Sequence, residues 1–261
     1  DGDEWVVNGQ KVWTSNAHLA RWGLLVTRTD PDAPKHRGLT YFAIDLNQSG
    51  VEIRPLRQLT GQAEFNEIYL TDARVAEADR LGDVGDGWRV TLTTLMNERV
   101  AIGGETRSSD KGTIDWVMEA WRDHGHDDPA RRDDLMRLWV RSEALRLNNM
   151  RAEQSRETGT PGPEGSIGKV LSAEFNKDAF AFALGLSGMA GTLFDAGYEQ
   201  DQTRPALDYD SLVEYFLRVR ANSIEGGTTE VMRNILGERV LGLPGDVRVD
   251  KDVPWIEVPR S

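Results

Sequence analysis

Three stretches of the chain concentrate residue types able to do chemistry. In the first, Asn8 to Asn16, an aromatic plate at Trp13 is followed by the hydroxyls of Thr14 and Ser15. The second runs from Gly87-Trp88 to Asn97-Glu98-Arg99 and sets a carboxylate amid the apolar residues Leu92, Leu95, Met96 and Val100. In the third, Ile224-Glu225-Gly226-Gly227-Thr228-Thr229-Glu230, a tight loop leads into the apolar stripe Val231, Met232, Ile235, Leu236 and Val240. A carboxylate held among apolar neighbours is the material of a general base, and a helix N-terminus such as the one after Thr228 attracts a pyrophosphate. Each residue also has a plainer reading. Trp13 fits ordinary sheet core and Ser15 a strand-end hydroxyl. Glu98 fits a solvated helix residue paired with Arg99 or Arg107. Glu225 fits a helix cap or a partner for Arg220, and Thr228 fits an N-cap.

Other chemistries are excluded. There is no cysteine, so disulfides, thiolate metal sites, Fe–S clusters and a cysteine nucleophile are out. The four histidines contain no HExxH pair, and no metal site is expected. Gly165-Ser166-Ile167-Gly168-Lys169 imitates a phosphate loop, but Pro163 stands where the first glycine belongs and Val170 where a hydroxyl is needed. Gly185-Leu186-Ser187-Gly188-Met189 lacks the last glycine of a nucleophile elbow. A formal charge of −12 disfavours nucleic acid and anionic lipid. The stretch from Ala179 to Phe194, free of charges, falls short of the ~20 apolar residues of a spanning helix and reads as a buried helix. No signal peptide is visible, and the abrupt opening at Asp1 suggests a fragment or trimmed chain. Arg outnumbers Lys 25 to 6, as a GC-rich bacterial genome would produce.

The elements that must position these residues fall into two kinds. From Trp5 to about Val75, short runs rich in Val, Ile, Tyr, Phe and Trp alternate with turn-formers and read as strands. Asn8-Gly9 between two such runs predicts a type I′ hairpin, whose return strand ends at Trp13, and Asp30 to Gly38 predicts a surface loop. After Gly87 the period becomes helical. Leu135, Leu138, Trp139, Ser142 and Leu145 form one stripe, and Ile167, Val170, Leu171, Phe175 and Phe182 another. Gly159 to Gly168 reads as an inter-helix loop. Strands segregated before helices predict an α+β fold, a small antiparallel β-domain over residues 1–82 followed by an antiparallel four-helix-bundle domain over 83–261.

The segments Asn8-Gly9-Gln10-Lys11-Val12-Trp13-Thr14-Ser15 and Gly226 through Pro244, in that order and about 210 residues apart, resemble the middle-domain and last-helix signatures of the acyl-CoA dehydrogenase family. The resemblance covers nearly all of the chain. It implies the family's middle β-domain and C-terminal helical domain, with the N-terminal helical domain and upstream flavin loop absent from this chain. It further implies FAD, an acyl-CoA substrate, and formation of a 2,3-double bond by α-proton abstraction and β-hydride transfer. By resemblance Trp13 falls where a Trp stacks on the flavin, Ser15 where a hydroxyl meets the flavin N5 region, and Thr14 where backbone contacts the ring. Thr228, Thr229 and Glu230 fall on a cofactor-contacting loop, Gly227 at a substrate-contacting glycine, and Arg99 where an Arg helps hold CoA. The base falls at Glu98, immediately before an Arg as in isovaleryl and long-chain members, with Glu225 as second choice. The medium-chain position is here Gly226.

Two segments depart from the family pattern. Trp121-Arg122-Asp123-His124-Gly125-His126 stands where Arg-x-x-Phe-Gly is usual, and only Gly188 survives of a Gln-x-x-Gly-Gly segment. Both normally reach a neighbouring subunit's cofactor, so the alternative is a non-catalytic partner subunit of a heteromeric dehydrogenase. An acyl-CoA oxidase or nitroalkane oxidase is a third reading. The resemblance also implies a homo- or hetero-oligomer, an electron-transfer flavoprotein or similar acceptor, a cytoplasmic location and a place in fatty acid or steroid side-chain β-oxidation.

Overall fold

The computed structural model describes residues 1–104, 112–124, 128–157, 164–194, 209, 211–245 and 247–259, and within these the side chains of 96–104, 156, 157 and 164 lie outside the description. The chain forms two compact units. The described part of the first comprises residues 1–104 and 247–259; that of the second comprises 112–124, 128–157, 164–194, 209 and 211–245.

The first unit holds five strands, β1 (Glu4–Ser15), β2 (Trp22–Arg28), β3 (Leu39–Asp45), β4 (Val51–Leu56) and β5 (Phe65–Ala76), and the helix α1 (Gly87–Gly104). One antiparallel sheet has the order β1-β5-β4 and the other pairs β2 with β3. Alternation along β5 buries Asn66, Ile68 and Leu70, then Ala73 and Val75. The change from even to odd positions follows from a bulge in which Thr71 and Asp72 face the single residue Asn8. Asp72 takes φ 51 there, and Asn8 bonds it twice, by Asn8 Nδ2 to Asp72 Oδ1 at 3.0 Å and Asp72 N to Asn8 Oδ1 at 2.9 Å.

This corrects the hairpin expected at Asn8-Gly9. Both apolar runs belong to one strand, because β5 is long enough to pair with each, and the Asn-Gly pair serves a bulge instead of a reversal. The core draws on both sheets: Val7, Leu25, Phe42, Ile44, Ile68 and Val75 pack together, with Trp5 at 5.4 Å from Phe42 between ring centroids. The loop expected between Asp30 and Gly38 is present.

Helix α1 starts hard against β3. A Cβ at Gly87 would lie 2.7 Å from the Leu39 carbonyl oxygen, so only glycine allows this approach. Further along, Tyr41 Oη donates to Thr94 Oγ1 at 3.3 Å. The segment 247–259 also returns to this unit. Trp255 N donates to Ala33 O at 3.1 Å, Lys35 pairs with Asp250 at 2.6 Å, and the Arg28 guanidinium lies 4.4 Å from the Trp255 ring centroid.

The second unit is helical: α2 (Thr113–His124), α3 (Pro129–Glu157), α4 (Glu164–Leu186), α5 (Leu212–Arg218) and α6 (Thr229–Arg239). Its centre is α4, whose Ala173, Ala179 and Ala183 are almost fully buried. Val117 and Ala120 of α2 and Leu135 and Leu138 of α3 pack against it, while Phe180 stacks on Tyr215 of α5 at 4.9 Å between centroids. The α+β class with antiparallel strands followed by helices is as expected. In the predicted loop, residues 158–163 lie outside the described residues and Gly165 to Gly168 belong to α4. The helix expected to reach Phe194 ends at Leu186, where Ser187 and Gly188 (φ 56) turn the chain into a short 3₁₀ segment. No described helix is long and apolar enough to cross a membrane.

Candidate functional site

On β1 the odd-numbered residues face the core, as Trp5, Val7 and Lys11 show through their partners Val75, Ala73 and Ile68. Simple alternation would also turn Trp13 inward. A second bulge, with Val12 and Trp13 opposite Glu67, shifts the phase so that Thr14 pairs with inward-facing Asn66. Trp13 takes φ 60 and is 63 % exposed, so it is not sheet core. Its indole meets Phe65 edge-on at 5.9 Å between centroids. A bulge of this kind re-aims one side chain without breaking the strand.

The strained backbone is held by Asn66, which is fully buried. Its Nδ2 donates to Thr14 O at 3.0 Å and Glu64 O at 3.2 Å, and Asn16 N donates to Glu64 O at 2.7 Å. With its amide nitrogen so engaged, Asn66 Oδ1 accepts from His18 Nδ1 at 3.0 Å, which places the imidazole proton on Nδ1. Thr14 is half-buried and Ser15 exposed. Sequence reasoning missed Asn66; the available signal was a polar residue at a core-facing place in the alternating run Phe65 to Leu70.

Glu98 and Arg99 lie on α1, and their side chains are outside the described residues.

The third stretch folds into a turn between the 3₁₀ segment Val219–Ser223 and α6. Gly226 and Gly227 take φ of 62 and 100, values open to glycine, and a Cβ at Gly227 would lie 2.5 Å from Met232 Cε. Thr228 Oγ1 accepts from Val231 N at 3.2 Å and caps α6, as its plainer reading expected. Thr229 is buried and its hydroxyl has no hydrogen-bond partner among the described residues, while Glu230 is exposed in the first turn. Met232 is buried but Val231 and Val240 are half-exposed, so the expected stripe is only partly core.

Glu225 accepts from Arg218 Nη1 at 3.0 Å and Nη2 at 2.6 Å, and from Asn222 Nδ2 at 2.7 Å. Burial pushes its carboxyl up, but the bonds and charge of Arg218, with Asn222 and Lys169, hold it below the usual carboxylate range. Its ion-pair partner is Arg218, where the sequence offered Arg220. Burial lowers Lys169, against the opposing field of Glu225. Among the described residues no cluster of His, Asp or Glu could hold a metal ion.

An exposed, fixed indole suits a planar ring, and the backbone N–H groups of the first turn of α6 suit a phosphate.

Comparison with known proteins defines the class. The family pattern described as acyl-CoA dehydrogenase, middle domain, matches residues 1–73, and that described as acyl-CoA dehydrogenase, C-terminal domain, matches residues 85–241. The chain belongs to the acyl-CoA dehydrogenase family. It is similar to acyl-CoA dehydrogenase IpdE1 of Mycobacterium tuberculosis, 38 % identical over 249 residues, covering 95 % of this chain and 62 % of that protein. Among solved structures it is similar to the Tcur3481-Tcur3483 steroid ACAD, with TM-score 0.79 and 27 % identity over 94 % of this chain and 62 % of that one. It is also similar to the ChsE4-ChsE5 complex from Mycobacterium tuberculosis, with TM-score 0.74 and 27 % identity over 94 % and 63 % of the two chains. The chain thus spans about three fifths of the length of these relatives.

Proposed function

We propose that this chain is the middle and C-terminal part of an FAD-dependent acyl-CoA dehydrogenase, acting on a steroid-derived or fatty acyl-CoA thioester. The carrying observation is the bulge that turns Trp13 out of the sheet at φ 60, an arrangement that costs stability and serves no core. FAD, when bound, supplies a two-electron acceptor for the hydride leaving the β-carbon. The chain's residues do the rest. Trp13 offers a stacking face, and Thr14 and Ser15 offer backbone and hydroxyl groups at its edge. Thr228, Thr229 and Glu230 bring the N-terminus of α6 to the cofactor. Because Thr228 caps the helix and Thr229 faces inward, their contribution to a phosphate is main-chain N–H. Gly227 contacts the substrate and Arg99 helps hold its CoA part. Glu98 takes the α-proton while the β-hydride departs, leaving the 2,3-double bond. The occupied carboxylate of Glu225 favours Glu98 as base, because a group held below its usual range by an Arg is a weaker proton acceptor.

A second reading is a partner subunit that completes a neighbour's site. It is favoured by the altered segments at Trp121 and Gly188 and by the similarity to Tcur3481-Tcur3483 and the ChsE4-ChsE5 complex, each of which joins two proteins. In either case the assembly is an oligomer in the cytoplasm, and its partner in electron transfer would be an electron-transfer flavoprotein or similar acceptor. The test is the visible spectrum of the purified protein, prepared with the remaining length of its relatives and any partner. Flavin absorbance that bleaches on adding an acyl-CoA supports the dehydrogenase. A flavin-free subunit that restores activity to a flavin-bearing partner supports the second reading.

A further inference from the structure

The Gly226-Gly227 turn has no side chains with which to fix its own dihedrals, yet it sits at the end of a continuous chain of bonds. Thr113 Oγ1 of α2 donates to Asn176 Oδ1 of α4 at 2.9 Å, and Asn176 Nδ2 donates to Asn222 Oδ1 at 3.0 Å. Lys169 Nζ of α4 donates to the Asn222 carbonyl. Asn222 Nδ2 and both terminal nitrogens of Arg218 then grip the carboxylate of Glu225, the residue immediately before the glycines. The Arg218 side chain is only 9 % exposed. The Glu225 side chain is 36 % exposed, and a pair so partly buried adds little net stability over an apolar replacement, since desolvation of the guanidinium offsets the attraction. What a bidentate guanidinium–carboxylate pair does supply is a fixed distance and direction.

We propose that Arg218 and Glu225 are positioning residues for the dehydrogenation: their bidentate pair, braced by Asn222, holds the Gly226-Gly227 turn in one geometry against the acyl thioester. This rests on the acyl-CoA dehydrogenase reading. Neither residue exchanges a proton with substrate in this account. Loosening the pair leaves the CoA-binding contacts in place but blurs the alignment of the reacting carbons, and a displacement near 1 Å costs about 100-fold in rate.

The experiment is a double-mutant cycle in the flavin-loaded holoenzyme, with Arg218→Lys, Glu225→Gln and the double variant. Folding is checked by circular dichroism, and kcat and KM for acyl-CoA are measured separately. The expected result is a kcat loss of roughly 10- to 100-fold in each single variant with KM changed by less than about threefold, and a double variant no slower than the slower single one. Folded variants with wild-type kcat would overturn the proposal and leave the pair a purely structural one. An inert Glu225→Gln beside a near-normal Arg218→Lys would overturn it differently, by making Glu225 the base. Should Glu225→Gln fail to fold, Arg218→Lys, which keeps the charge and one hydrogen bond, decides by its own split between kcat and KM. A flavin-bearing wild type that acyl-CoA does not reduce would remove the dehydrogenase reading itself, and the proposal with it.

Discussion

The Trp13 bulge and the Gly226-Gly227 turn both hold the chain at positive φ, and they do so by opposite means. In the β unit the strained residue is a tryptophan at φ 60, held by sheet pairing on either side and by the buried amide of Asn66. In the helical unit the positions are glycines at 62 and 100, free of steric cost, held by an ion pair that begins one residue earlier. The difference follows from what each place presents. Where a side chain has to be displayed, glycine is unusable, and the left-handed conformation costs roughly 1–2 kcal/mol. Where the backbone is displayed, glycine removes the strain but also the rigidity, and an external clamp restores it.

The largest effect is expected from removing the amide that holds the bulge. Asn66→Ala takes the side-chain donor from the Thr14 carbonyl and the acceptor from His18 Nδ1, while the Glu64 carbonyl keeps Asn16 N, and at about 1–3 kcal/mol for each buried group that loses its partner the variant should lose roughly 2–4 kcal/mol in urea unfolding. A loss below about 0.5 kcal/mol would mean that the sheet alone holds Trp13 out. Next comes Gly227→Ala, which forces an L-residue to φ 100 and crowds Met232. It should cost about 1–3 kcal/mol, whereas a neutral result would show that the turn relaxes freely and does not depend on glycine.

A smaller effect is expected in acid. The Glu225 carboxyl is held below its unfolded range, so its contribution to stability is full above the unfolded value and fades as pH falls through the folded one. Glu225→Gln should therefore flatten the acid limb of a stability-against-pH curve relative to wild type, and parallel curves would contradict the clamp. The smallest change in stability belongs to Trp13→Gly. Relief of strain opposes loss of the Phe65 contact, leaving stability within about 1 kcal/mol of wild type, while flavin affinity drops. A strongly destabilised Trp13→Gly would return the indole to a core role.

The strands, the loop from Asp30 to Gly38 and the helical half were legible because period-2 and period-3.6 patterns report burial directly. Asn8-Gly9 misled because the tolerance of positive φ that makes a hairpin turn also serves a bulge, and only the length of the partner strand decides between them. The outward aim of Trp13 was hidden for a related reason. Its phase depends on register against Glu67, which its own strand does not encode. The buried face of α4 sets Ala173, Ala179 and Ala183 among Phe175, Phe180 and Leu186, and alanine carries little apolar signal although it sets how closely α2 and α3 approach. The pairing of Glu225 with Arg218 and not Arg220 turned on which way the last turn of α5 faces, since residues two apart point to different sides of a helix. The signatures that carry the family lie in backbone-critical turns, which is why they stood out in sequence while the groups bracing them did not.

The assignment of roles is tested most directly by single-turnover bleaching of the bound flavin with acyl-CoA, comparing wild type, Glu98→Gln and Glu225→Gln. With Glu98 as base and Glu225 as clamp, the wild type bleaches rapidly and Glu225→Gln bleaches completely but more slowly. Glu98→Gln keeps its flavin and binds acyl-CoA yet loses at least about 10⁴-fold in rate, the upper end of what a general base contributes. Rapid bleaching in Glu98→Gln beside an inert Glu225→Gln would contradict the account.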